Sequence, residues 1–234
     1  MTDPTTWSEM GLFDAIFSLR ATRVYEDRPL PPEVLDRILT ATTRACSSGN
    51  TQPWDLLVVT DAAIRGQIKA IMVEAFADID AERAQAPEQL IDGAGRPVTG
   101  HAAIEHIDVV PAIVLVLWNP DRGIRMKGEY EPNPDGTLRP TRHIPGGRGS
   151  SLFPACQNMM LAATALGVSS LFTTFFGLRE AEIKALLGVP PRMFLECAVF
   201  LGYGAEDLGK PRRKPLTEVV HVNGWNGPYE PPRG

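Results

Sequence analysis

A single domain mixing helices and strands, of α/β or α+β class, is predicted by three observations. The chain has 234 residues, 44% hydrophobic and 22% charged, enough to bury one sizeable core. Segments with helical apolar spacing alternate with short β-branched runs. No internal repeat, heptad run or linker divides the sequence, so residues 1–234 read as one unit.

Met10, Phe13, Ile16, Phe17 and Leu19 share one helical face, predicting a first helix from Trp7 to about Ala21 that delivers Arg20 and Arg23 near its end. Pro31 and Pro32 suit the first turn of a second helix carrying Val34, Leu35, Ile38 and Leu39. A loop of small and amide residues, Ala45 to Gln52, is stopped by Pro53-Trp54 before a strand at Asp55–Thr60. Asp61 then caps a helix bearing Ile64, Ile68, Ile71, Met72, Ala75 and Phe76.

From Ala81 to Gly100 the sequence is polar, with a loop expected at Asp92-Gly93-Ala94-Gly95. The unbroken apolar run from Val109 to Trp118 predicts a central strand covered on both faces. Residues 119–150 hold repeated Pro and Gly with Tyr130, Arg139, His143 and Arg148, and read as a long loop acting as a lid. A helix at 150–166 is apolar nearly all round and must be enclosed; Gly167 ends it. Val168–Phe176 and Leu195–Leu201 read as strands around a short helix at Arg179–Leu187, which Gly188 stops. The tail from Gly209 joins a basic cluster to a strand-like end and has too little apolar surface to stand alone.

A formal charge of −5 and a pI near 5.4 exclude a general attraction to nucleic acid or anionic lipid. The N-terminus lacks the pattern of a secretory signal and the longest apolar run is too short to span a bilayer, so a cytoplasmic location away from membranes is expected. Cys46, Cys156 and Cys197 are odd in number and widely spaced, and read as reduced, mostly buried thiols.

Motifs for several chemistries are missing. Gly147-Arg148-Gly149 and Gly202-Tyr203-Gly204 sit in the wrong context for a dinucleotide fingerprint, and no phosphate loop, HExxH, CxxC or GxSxG elbow is present. His101, His106, His143 and His221 show no metal-ligand spacing, so no metal is expected. An enzyme without such groups draws its reactivity from an organic cofactor. Two features suit one. The Ser/Asn loop lets backbone approach a flat heterocycle while its amides read the edge. Arg20 and Arg23, three apart, would grip a phosphate from one side of a helical turn, with Arg212 and Arg213 adding charge from the far end.

The chain resembles the nitroreductase family of FMN-dependent oxidoreductases. The likeness rests on Leu19-Arg20-Ala21-Thr22-Arg23-Val24-Tyr25 with Pro29-Leu30-Pro31, on the block from Ile38 through Ala45–Trp54 to Asp61, and on Pro154–Ala163 with Ala165-Leu166-Gly167. Leu201-Gly202-Tyr203-Gly204 and Arg212–Leu216 follow in the expected order. This resemblance implies an α+β fold with a mixed or antiparallel sheet packed by helices, assembled as an intertwined homodimer with two FMN sites at the interface. It implies that Arg20, Ala21, Thr22 and Arg23 hold the FMN phosphate and ribityl chain and that Arg213, helped by Arg212, closes on the phosphate. Ser47, Ser48, Asn50 and Gln52 would meet the flavin of the partner subunit, and Leu171 and Thr173, within Leu171–Thr174, would present backbone near the reactive flavin nitrogen. Cys46, where many relatives have proline, Thr164, in place of a frequent arginine, and the 119–150 excursion depart from the pattern and bear on substrate choice.

The activity so implied is hydride transfer from NAD(P)H to the flavin, followed in the same pocket by reduction of a small electron-poor acceptor such as a nitroaromatic, quinone or activated alkene. No side chain is assigned an essential catalytic proton. Two alternatives stay open: a flavin-fragmenting or reductively dehalogenating member of the same fold, and a flavin-binding sensor or storage protein without turnover.

Overall fold

The computed structural model describes residues 10–85, 101–124, 129–141, 148–209 and 211–232. The expected loop at 92–95 and His143 lie outside them. Helices are α1 (Leu12–Ser18), α2 (Pro32–Thr42), α3 (Ala62–Gln85), α4 (His101–Glu105), α5 (Gly149–Ala165), α6 (Glu180–Leu187) and α7 (Leu216–Val219). Strands are β1 (Trp54–Val59), β2 (Ala112–Trp118), β3 (Tyr130–Pro132), β4 (Leu138–Pro140), β5 (Ser169–Thr173) and β6 (Phe194–Gly202). The fold is α+β. A four-stranded antiparallel sheet runs β1-β2-β6-β5, and β3 and β4 form a separate hairpin.

The run read as a central strand is one: all seven residues of β2 are buried. Alternation sends Ile113, Leu115 and Leu117 into one apolar layer with Ile68, Met72 and Ile183 of α3 and α6. Val114, Val116 and Trp118 face the other layer, with Ile38 of α2 and Leu152 and Met159 of α5. In β6 the register against β2 slips between Val116 and Leu117, leaving Glu196 as the extra residue. Leu195 and Cys197, two apart, therefore face opposite layers, and Glu196 reaches out to an ion pair with Arg148.

Asp61 caps α3 as expected, its Oδ1 accepting the Ile64 N–H at 2.9 Å. Asp61→Ala should lower stability by about 1 kcal/mol, read as a shift in the urea midpoint; an unchanged midpoint would mean that water replaces the cap without loss.

Four expectations are corrected. The first helix is described only over Leu12–Ser18 and has ended before Arg20, because the next residues spend their backbone on the sheet edge: Ala21 bridges Ser170 in parallel and the Thr22 N–H donates to the Ser170 carbonyl at 2.9 Å. The 119–150 segment is no structureless loop, since its middle pairs as the β3–β4 hairpin and Tyr130 stacks beside Trp118 and Phe194. The strand-like end of the tail is the short helix α7. Cys46 is exposed, whereas Cys156 and Cys197 are buried free thiols as expected, their sulfurs 3.5 Å apart. Among the described residues, no helix is long and apolar enough to cross a membrane.

Candidate functional site

The free edge of β5 is where the two ends of the chain meet. Leaving α1, the backbone at Ala21–Thr22 joins that edge, and Tyr25 bridges Gly204 beyond the end of β6. Tyr25 locks this crossing: its hydroxyl, 2.8 Å from the Thr22 carbonyl, donates to it, and burial pushes the phenol well above its usual pKa, so it stays a neutral donor. Gly204 gives the crossing room, since a Cβ there would sit 3.1 Å from both Ser169 Oγ and Thr22 Cγ2 and these side chains would have to give way.

Against this edge lies a cleft of about 320 Å³ lined by Leu19, Arg20, Ala21, Pro211, Arg212 and Arg213. Arg20 also borders an adjoining hollow of about 260 Å³, with Thr22, Thr164, Ser169, Glu206 and Asp207 among its walls. Arg20 Nη1 donates to the Gly209 carbonyl at 3.2 Å and Arg213 Nη1 to the Arg212 carbonyl at 2.9 Å, contacts that aim each side chain while using one of its several donors. Three arginines line this one small cleft, and forked N–H groups suit phosphate oxygens. The cleft thus fits the phosphate end of a mononucleotide.

Arg23 is not part of it. In extended backbone, side chains three apart fall on opposite faces, and Arg23 Nη1 turns back to the Ala21 carbonyl at 3.4 Å. Arg20 and Arg23 therefore do not share a helical turn, and Arg23 does not line the cleft.

Leu171 follows Ser170 on β5 and has its side chain in the core, so only its backbone can face a ligand. Thr173 ends the strand, with Oγ1 accepting the Phe175 N–H at 3.2 Å. The Ser/Asn loop is a tight, strained turn: Gly49, Asn50 and Gln52 all have φ near +50 to +60°, a region that glycine and asparagine tolerate best. Ser47 Oγ accepts the Gln52 N–H at 3.0 Å, and Gln52 Nε2 approaches Asn50 Oδ1 at 3.4 Å. The Ser48 N–H donates to Ser151 Oγ at 3.3 Å, fastening the loop to the first turn of α5. Ser48, Asn50 and Gln52 are exposed, and neither hollow beside Arg20 includes any residue of this loop. Within one chain the grip and the loop are separate.

Sequence reasoning missed Gly209, Ser151, Glu206 and Asp207. Glu206-Asp207, one residue beyond Gly202-Tyr203-Gly204, was the one visible signal, since carboxylates near a cationic grip can accept hydroxyl hydrogen bonds. Gly209 acts through its carbonyl alone, which residue identity does not announce.

A family model described as "Nitroreductase family" matches residues 16–203. A protein of Thermus thermophilus named "NADH dehydrogenase" is 27% identical over 88% of this chain and 93% of its own length. An "Iodotyrosine deiodinase" of Danio rerio is 24% identical over 86% of this chain and 63% of its own length. Among solved structures, the NADPH:FMN oxidoreductase from Vibrio harveyi complexed with NAD+ superposes with a TM-score of 0.65 at 17% identity, covering 95% of this chain and 79% of that one.

Proposed function

The chain belongs to the nitroreductase family, and from that premise we propose that it is an FMN-dependent oxidoreductase that takes hydride from NAD(P)H and passes electrons to a small electron-poor acceptor. The observation that carries this reading is the cleft in which Arg20 meets Arg212 and Arg213. The names of the relatives agree with it: the Thermus protein is called an NADH dehydrogenase and the Vibrio protein an NADPH:FMN oxidoreductase.

Bound FMN supplies the redox chemistry, a ring that accepts hydride and releases electrons. The protein supplies position. Arg20, Arg212 and Arg213 hold the phosphate, while Thr22, Ser169, Glu206 and Asp207 border the space available to the ribityl hydroxyls. The backbone of Leu171 and Thr173 flanks the same strand edge. No side chain is needed as an essential acid or base.

A second copy completes the site. Ser47, Ser48, Asn50 and Gln52 would meet the flavin of a partner chain, and the surface that would dock it is apolar: Leu12, Phe13 and Phe17 of α1 are 64%, 68% and 66% exposed, and Trp225 in the tail 84%. Such large exposed side chains on a single chain favour a two-fold dimer that covers them. The protein should therefore purify yellow, as a dimer by sedimentation, and should oxidise NADH or NADPH when a nitroaromatic or quinone is added. Colourless protein that takes up no FMN would reject the reading.

The deiodinase relative supports a second reading, reductive dehalogenation at the same flavin, with the β3–β4 hairpin as part of the cover. Halide release from a halophenol under a strong reductant, with slow NAD(P)H oxidation on nitroaromatics, selects it over the first.

A further inference from the structure

The turn before α2 and the end of β1 line another cavity, open to the surface and of about 250 Å³, whose lining shares no residue with the arginine cleft. Leu30, Leu35, Val109 and Pro111 give it apolar walls, and Arg28 and Arg65 supply positive charge. Arg65 is 8% exposed. Its Nη1 donates to the Thr60 carbonyl and its Nη2 to the Asp108 carbonyl at 3.3 Å, but its Nε is buried without a partner. Burial lowers the Arg65 pKa against the opposing charges of Asp61, Asp108 and Asp27, yet a guanidinium stays protonated in proteins. A buried charged donor left unpaired is costly, and an anionic acceptor relieves it.

Two of these three acids are committed elsewhere, while Asp27 lines the cavity itself. Asp61 caps α3, and Asp108 is paired with Lys69 at 2.9 and 3.0 Å. Arg28 Cζ sits over the Tyr203 ring, 3.7 Å from its centroid, a cation–π contact that holds the guanidinium beside the cavity and leaves its N–H groups able to donate to a ligand. Asp27 on the lining disfavours a dianion, and the apolar walls leave phosphate oxygens without partners. The volume is below the roughly 300–1,000 Å³ of pockets for drug-sized ligands.

We propose that this cavity binds a small organic monocarboxylate with an apolar body, its carboxylate between Arg65 and Arg28 and its body against Leu30, Leu35, Val109 and Pro111. The proposal does not depend on the flavin reading.

Sodium benzoate is the probe, titrated into the protein as purified, with leucine and valine methyl groups labelled for NMR and ionic strength held constant with sodium chloride. Saturable shifts are expected at the Leu30, Leu35 and Val109 methyls. Arg28→Gln should weaken binding at least about tenfold and Arg65→Gln more, the loss of charge-assisted bonds. Should Arg65→Gln fail to fold, benzyl alcohol carries the test on the native protein, since the same ring without the charge should bind at least about tenfold more weakly. The proposal is overturned by shifts confined to other methyls, by unchanged affinity in Arg28→Gln, by equal binding of benzyl alcohol, or by inorganic phosphate displacing benzoate at equal concentration.

Discussion

Arg20→Ala combined with Arg213→Ala should strip the protein of FMN, raising the dissociation constant by about a hundredfold or more. Each guanidinium on a phosphate is worth about 1.5–3 kcal/mol as a charge-assisted hydrogen bond, or roughly ten- to a hundredfold in affinity. The two losses need not add, because both side chains would serve one phosphate. Arg23→Ala, outside the cleft, should change affinity far less, which separates a specific grip from general positive charge. Flavin fluorescence during titration of the apoprotein gives the constants of the native protein and both variants, and equal losses in Arg23→Ala and the double variant would relocate the phosphate.

The same double variant tests the shared site. In a mixed dimer of one Arg20→Ala/Arg213→Ala chain and one Asn50→Ala chain, one flavin site draws its grip and its loop from the two unaltered halves, while the other carries both defects. Mixing and reassembly should then restore up to about half of the native activity, as two-fold symmetry requires. Recovery no greater than the average of the separate variants would place the loop and the grip of one site on the same chain.

The largest stability effect is expected from Phe200→Ala. Phe200 is fully buried in the C-terminal half of β6, between Ile113 of β2 and Leu171 of β5, and packs edge to face on Phe176 with centroids 5.8 Å apart. Truncation removes the transfer free energy of the ring and leaves a cavity that two flanking strands cannot collapse into, a loss of about 3–5 kcal/mol. That is a large share of the roughly 5–15 kcal/mol that holds a typical domain together. Guanidinium unfolding at fixed protein concentration measures it, the concentration being held because the proposed dimerisation would feed into apparent stability. A loss below about 1 kcal/mol would mean that the sheet centre repacks freely. The folded fraction of Phe200→Ala should still bind FMN with native affinity, since the ring lies in the layer with α3 and α6 rather than at the arginine cleft.

Local chemistry made much of the architecture legible. The β2 run announced a strand buried on both faces, Asp61 announced the start of α3, and Gly167 and Gly188 announced the ends of α5 and α6, where both adopt positive φ. These signals are short-range, so spacing and residue type suffice to read them. The Ser47–Gln52 turn was legible for the same reason, although its fastening to Ser151 was not.

What escaped was set by partners distant in sequence. Arg20 and Arg23 have the spacing of a helical pair, but the backbone at Ala21–Thr22 gains hydrogen bonds at the edge of β5 that a longer α1 would forgo, and the extended course that results sends the two arginines apart. Pro and Gly in 119–150 suggested loop alone, whereas Tyr130 finds Trp118 and Phe194 and the segment pairs as a hairpin.

The sequence by itself determined most of the secondary elements and the two-faced apolar core, because periodicity, capping and side-chain type act over a few residues, and its motifs carried the family resemblance that implies the cofactor. Only the tertiary structure decided which arginines stand together, which loop stays apart from them, and where a buried guanidinium is left with an unpaired donor. Those outcomes depend on strand pairing and burial across the whole chain, where the need to satisfy backbone hydrogen bonds outweighs local spacing.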